Sequence, residues 1–227
     1  MTLHLHRQID KLKQHMLDVG ALVERAVERS VLAVETSDAA LAESVIADDT
    51  QIDLKEVEVE EECLSTLALH QPVANDLRFV VAVLKMNNDL ERIGDLAVNI
   101  AEQAAGIAEG PEIEASQLHL AEMGQKARAM LKWSLDALVE LDGDLAERVR
   151  RTDDEVDDIH RRVYNIAEQS IVEAPYQSGQ WIRLLIVARQ LERIADHSVN
   201  IAKDVLYLIK GEIVRHRRAR AQMIQQT

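Results

Sequence analysis

Apolar residues recur along this chain every three or four positions, in six runs separated by breakers. Leu5, Ile9, Leu12, Met16, Val19, Val23, Val27, Val31 and Val34 predict a helix over 3–36. Ser37 and Asp38 offer its end and a new N-cap, and Leu41, Val45, Ile52, Val59 and Cys63 carry a second helix over 39–69. His70-Gln71-Pro72 stops it. A third runs over 73–108 on Val83, Met86, Leu90, Ile93, Ala97, Ile100 and Ala104, closed by Gly106 and Gly110-Pro111. The pattern then repeats: helices over 113–141, 144–172 and 178–213, with Asp142-Gly143-Asp144 at one turn and Pro175 and Ser178-Gly179 at the other.

The two halves correspond residue by residue. At an offset of 104, Gly20 falls on Gly124, Ser30 on Ser134, Asp38 on Asp142, Asp49 on Asp153, Ile52 on Val156 and Asp53 on Asp157. The third helices align at 101, and there LERIGDLAVNIA (90–101) meets LERIADHSVNIA (191–202), nine of twelve positions identical. A long-period self-match governs the fold reading. Helices of about 30 residues, each about 45 Å long, with short turns between them, make an all-α protein. The expected fold is two tandem antiparallel three-helix bundles related by an internal repeat, over 1–110 and 111–227.

Composition agrees. Of 227 residues, 47% are hydrophobic but only 3% aromatic, with three prolines and eight glycines, so the core is aliphatic and helical. Net charge −14 and pI near 5 argue against a nucleic-acid partner, which needs a basic footprint. One cysteine, Cys63, makes no internal disulfide and suits a reducing cytosol as a small buried residue. The N-terminus shows no apolar signal core. The longest apolar run, Phe79 to Leu84, is far short of the ~20 residues a membrane span needs. The expected location is cytoplasmic, with membrane contact only through partners. The basic run RHRRAR after residue 213 reads as a helix end favoured by the dipole; contact with an acidic partner or membrane surface is the lesser alternative.

The repeated stretch carries the candidate chemistry. Glu91 and Asp95, like Glu192 and Asp196, stand four apart on one helix face, where like charges repel. In an antiparallel hairpin, Asp49 facing Asp95 and Asp53 facing Glu91 share a midpoint at residue 72, a proline. Asp153 facing Asp196 and Asp157 facing Glu192 share a midpoint between 174 and 175, and residue 175 is proline. Each half thus brings four carboxylates to one level. On the helical wheel they lie beside the core stripe, in a surface groove. Four such groups repel, raise one another's pKa, or hold a cation. All-oxygen donors suit Mg²⁺, Ca²⁺ or Mn²⁺, and carboxylate bridges suit clustered iron. Asn99 and Asn200 add carbonyl ligands or bond across helices. The plainer reading is a solvated face neutralised by Arg92, Arg193 and Lys55; two matched sets at one level favour a site.

Other motifs carry less. Glu58, Glu60, Glu61 and Glu62 read as a solvated face. Ser65, Ser134 and Ser198 lack a histidine–acid pair. Asp157-x-x-His160 is half of a di-iron pattern, but its repeat counterpart is Asp53-x-x-Glu56. Trp133 and Trp181 read as packing residues. Gly20 and Gly124, at matching mid-helix positions, allow close helix approach between the bundles. Glu56 opposite Asn88 forms the next level outward in one half, and His160 opposite Arg189 in the other; that arginine argues against equal occupancy of the two sites.

The doubled E/D-x-x-x-D motif (Glu91 to Asp95, Glu192 to Asp196), together with EEECLSTLALHQPVANDLRFV at 60–80, resembles the PhoU family of phosphate-signalling regulators over nearly the whole chain. The resemblance implies two similar three-helix bundles and an accessory protein, not an enzyme. It implies partners: the ATPase subunit of the Pst phosphate transporter, and a sensor histidine kinase whose starvation response is damped when phosphate is ample. It also implies a homodimer, and metal cations (iron, magnesium, manganese or zinc) at the acidic motifs. Glu91, Asp95, Glu192 and Asp196 match the motif, and Asp49, Asp53, Asp153 and Asp157 match the acids of the second and fifth helices. The competing readings are a carboxylate-bridged metal hydrolase or oxidase, and a regulator of a different transporter.

Overall fold

The computed structural model describes residues 3–111, 113 and 118–211. Within them the chain forms α1 (Leu3–Thr36), α2 (Ala39–His70), α3 (Ala74–Ala108), α4 (Leu120–Glu140), α5 (Gly143–Glu173) and α6 (Ser178–Lys210), with a 3₁₀ turn at Pro175–Gln177 before α6 and no strand among the described residues. The basic run at 215–220 lies outside them.

The turns form where the breakers stand. Asp38 caps α2 by accepting from the Leu41 amide at 2.9 Å, and Asp142 caps α5 by accepting from Asp144 and Leu145. Gln71 and Ala74 take left-handed backbone on either side of Pro72. Two boundaries differ from the expected ones. α4 begins at Leu120, not near 113, because His119 adopts φ 53°, a left-handed geometry that cannot continue a helix. α6 ends at Lys210 because Gly211, at φ 67°, supplies the left-handed cap that glycine tolerates best.

α1, α2 and α3 pack on one another, and so do α4, α5 and α6. Every residue of the expected α3 stripe is buried, as are Leu5, Leu12, Met16, Val19, Val23, Val27 and Val34 of α1. The bundles do not sit apart: α1 packs on α4 and α3 on α6, and one hydrophobic cluster runs through both. At the α1–α4 contact a Cβ on Gly20 would stand 2.2 Å from Leu135 Cδ1, and one on Gly124 would stand 2.9 Å from Val31 Cγ1. Val31 and Leu135 are themselves repeat equivalents, so each half places a glycine beneath the other half's aliphatic side chain. This is the close approach that the paired glycines predicted, and side chains there would collide.

The α3–α6 contact is antiparallel and partly polar. His197 Nδ1 and Asp89 Oδ1 stand 2.8 Å apart, and Arg183 reaches Gln103. Gln180 donates to the Ile107 and Pro111 carbonyls at 2.9 and 3.1 Å, tying α6 to the chain that leaves the first half. Trp181 is buried, and Trp133 stacks beneath the Arg148 guanidinium at 3.8 Å. No helix is long and apolar enough to cross a membrane among the described residues.

Candidate functional site

α2 and α3 present the first acid set, α5 and α6 the second. In each pair the hydrophobic faces meet, and the acids flank that seam. Asp49 Oδ1 would lie 3.5 Å from a Cβ on Gly94, so this carboxylate rests against bare α3 backbone, with Ile52 beside it. Burial raises the Asp49 pKa, and the charges of Asp53 and Asp95 raise it further. Glu91 is raised by burial, then by Asp95, and by Glu56 and Asp53 across the groove. Asp49 thus feels Asp95 and Glu91 feels Asp53, the two facing pairs that the hairpin midpoint placed together.

The second half repeats the field. Burial pushes Asp153 from an ordinary 3.8 up to about 6, helped by Asp196 and Asp157 and opposed by Lys203. Glu192 is raised by burial and by Asp196 and Asp157, while His160 and Arg189 pull it down. The acids are half-buried or exposed, so they line a surface groove; Asp53 and Asp196 are the open ones. Buried ionised carboxylates without partners would be prohibitive in the core.

Some details depart from the sequence reading. The level outside the first acid set is one residue off: buried Asn87, not exposed Asn88, faces Glu56 and donates to its carbonyl at 2.9 Å and its carboxylate at 3.1 Å. Glu56 belongs to the same field, its pKa raised by burial and then by Glu60 and Asp53. The amphipathic pattern alone cannot tell adjacent flank residues apart. Glu62 is not on a solvated face. Its side chain is 10% exposed and is clamped by Lys11 at 2.5 Å and His15 at 2.8 Å on α1. Asn99 and Asn200 are half-buried within α3 and α6, and neither side chain makes a hydrogen bond to a described residue.

The neutralising cations are distributed asymmetrically. Arg92 lies 3.3 Å from Glu91 and 3.0 Å from Asp95. Its approach to Glu91 Oε2 is not along a hydrogen-bonding direction, which leaves that buried oxygen without a hydrogen bond. Arg193, its repeat equivalent, turns to Gln190, and Lys55 pairs with Glu58. No ion pair reaches Asp153, Asp157, Glu192 or Asp196 among the described residues. The second set is therefore the less neutralised, although Arg189 stands near it.

The donor chemistry fits a hard cation: eight carboxylates, mutually repelling, with five groups of this field shifted toward protonation. Among the described residues, no three histidine, cysteine or acidic side chains converge tightly enough to cage an ion. Binding therefore requires side chains to turn inward, and on the α3 side Arg92 to move off Asp95. Among the described residues, Cys63, Ser134 and Ser198 offer neither acid set an activated nucleophile. Cys63 is buried between α2 and its neighbours, and burial, with Glu62 and Glu60, pushes its thiol up to about 12. Ser134 and Ser198 are buried and donate to helical carbonyls within their own helices.

A family model described as the PhoU domain matches this chain twice, over residues 16–104 and 120–205. The chain belongs to the PhoU family. The phosphate-specific transport system accessory protein PhoU homologues of Pseudomonas putida and Pseudomonas aeruginosa are each 34% identical to it over 220 residues, 95% of this chain and 86% and 91% of theirs. The crystal structure of PhoU from Pseudomonas aeruginosa superposes with a TM-score of 0.88 at 34% identity, spanning 91% of this chain and 99% of that one. The phosphate transport system regulatory protein PhoU from Streptococcus pneumoniae superposes at 0.82 with 30% identity. The PhoU family is one of regulatory accessory proteins, not enzymes, and this sets aside the hydrolase and oxidase readings. The two family-model matches fall within the α1–α3 and α4–α6 repeats, and each contains one complete acid set.

Proposed function

We propose that this protein is a cytoplasmic, metal-binding regulator of phosphate uptake. It couples the ATPase subunit of a phosphate-specific ABC transporter to a sensor histidine kinase and damps the starvation response when phosphate is ample. Kinship with phosphate-transport accessory proteins supports the phosphate role. The single observation that carries the cation role is the pair of four-carboxylate sets, each at one level of a helix hairpin, with Asp153 raised to about 6. Asp49, Asp53, Glu91 and Asp95 would hold one ion or cluster, and Asp153, Asp157, Glu192 and Asp196 the other; Asn99 and Asn200 stand one turn further along. Iron, magnesium, manganese and zinc are the candidates. A cation there would replace mutual repulsion by attraction on a surface that a partner can reach.

Metal analysis of purified protein and thermal melts with and without chelator test the cation role. Occupancy at one hundred times Kd adds about 2.7 kcal/mol, or about 5–10 °C for a chain of this size. Asp95→Asn combined with Asp196→Asn should abolish that difference. A metal-free protein whose melting is indifferent to chelator and to both substitutions ends the metal reading. Co-purification with the transporter ATPase and with the kinase tests the coupling, and sedimentation velocity reads the implied homodimer.

A further inference from the structure

The outer face of α2 carries a seam that no described element covers. Thr50, Leu54, Val57, Glu61, Leu64 and Ala68 follow one another at alternating intervals of four and three residues, and all are exposed. This is the spacing of the contact line that one helix of a coiled coil presents to its partner. Leu54, Val57 and Leu64, its large apolar members, are 63%, 48% and 53% exposed. The line runs about 27 Å along the helix. The fold does not require it. On the inner side the two halves agree: Ile52, Val59 and Cys63 are buried, and so are their equivalents Val156, Val163 and Ala167. On the outer side they diverge: Asp158, Arg161, Asn165 and Glu168 of α5 stand where α2 has Leu54, Val57, Glu61 and Leu64, and Asp158 pairs with Arg161.

Charge narrows the occupant. Asp53 and Glu60 edge the seam on one side, Glu58 on the other, and Glu61 lies within it. Lys55 answers Glu58, but Asp53, Glu60 and Glu61 have no ion-pair partner among the described residues. In helix pairing the flanking charges choose the partner. A second copy laid on this seam would set acids against acids, and like charges juxtaposed at an interface oppose association. What fits is a helix with apolar residues at the same interval and lysine or arginine on its flanks. The acidic edge is continuous with the first acid groove, because Asp53 belongs to both and the charge of Glu60 reaches Glu56 inside it. We propose that a basic amphipathic helix of another protein docks along α2, its apolar residues on Leu54, Val57 and Leu64 and its cationic residues against Asp53, Glu60 and Glu61. The α5 face, charged where α2 is apolar, offers no such seam, so the two matched bundles meet partners differently. The inference does not depend on a cation in the acid groove.

The probe is a synthetic three-heptad peptide with leucine at the seam positions and lysine at the flanking ones. Its binding to the full chain is followed by fluorescence anisotropy at low salt, in chelator. Leu54→Glu with Val57→Glu, and separately Glu60→Lys with Glu61→Lys, should each weaken binding about ten-fold or more while the helical circular dichroism stays unchanged. The chain with the two lysines should instead take the same peptide carrying glutamate for lysine. Arg161→Glu with Glu168→Lys on α5 should leave binding of the lysine peptide as it was. A lysine peptide with serine for leucine should bind the unaltered chain about ten-fold more weakly. Equal binding of the serine peptide, or indifference to both α2 substitutions, reduces the attraction to general charge and overturns the proposal. Dimerisation of the chain alone, seen by sedimentation and lost on Leu54→Glu with Val57→Glu, overturns it in favour of a second copy. Because chelator is present throughout, the docking and cation proposals can each fail without the other.

Discussion

Replacing Asp153 by asparagine in metal-free protein separates repulsion from simple solvation of the acid groove. Between the ordinary 3.8 and the folded value of about 6, the carboxyl loses about 3 kcal/mol of preference for its ionised form. The group keeps partial contact with water, which screens its neighbours, so about 1–1.5 kcal/mol is the working figure. The sign follows from proton binding. Below pH 6 the folded state holds a proton that the unfolded chain releases down to 3.8, so ionised Asp153 destabilises the fold at neutral pH and relief grows as pH falls through that window. At pH 4.5 about two thirds of the penalty is gone. Asparagine is neutral throughout. Urea melts in chelator should therefore show Asp153→Asn more stable than the unaltered chain by about 1 kcal/mol at pH 7.5, with the advantage shrinking toward pH 4.5. A variant that is less stable at pH 7.5, or an advantage independent of pH, refutes the repulsive arrangement. With a bound divalent ion the order should reverse, because the asparagine removes a ligand.

Gly20→Ala should destabilise by up to about 2 kcal/mol, the clash with Leu135 exceeding the helix-propensity gain. In a Leu135→Ala background the same change should stabilise, and additivity of the two within about 0.5 kcal/mol denies their contact. His197→Leu alone should cost about 1–3 kcal/mol by leaving Asp89 half-buried and unpaired. The double change Asp89→Gln with His197→Leu copies the residues at the repeat positions, Gln190 and Leu96, and should recover most of that loss in chemical denaturation. Cys63 should react with a thiol reagent only at the rate of unfolding, given its burial and its thiol pushed up to about 12; fast labelling of the native chain at pH 8 contradicts that placement.

Much of the architecture is readable from local regularities. Helical period, Pro72 and Pro175, and the capping Asp38 and Asp142 act within a few residues, so spacing alone locates them. The facing acids are readable because a tight antiparallel hairpin converts residue number into height. Errors arise where the cue is a single backbone choice. His119 breaks α4 late, and Gly211 stops α6 early, through left-handed φ that neighbouring residues do not announce. The choice of Asn87 over Asn88 beside Glu56 is a matter of small helix rotation, which packing sets.

The sequence by itself determined six helices, two matched halves and eight acids in two sets, because periodicity, breakers and the repeat are written along the chain. Only the tertiary structure decided how the halves join and which charges find partners. Leu135 over Gly20 and Val31 over Gly124 fuse the bundles into one core, and His197 meets Asp89 across the α3–α6 seam. Arg92 closes on Asp95 while its repeat twin Arg193 turns to Gln190, which breaks the symmetry of the two acid sets. Such contacts join residues about a hundred positions apart or choose among rotamers of equal local merit. They depend on shape and charge assembled in three dimensions, which no periodicity records.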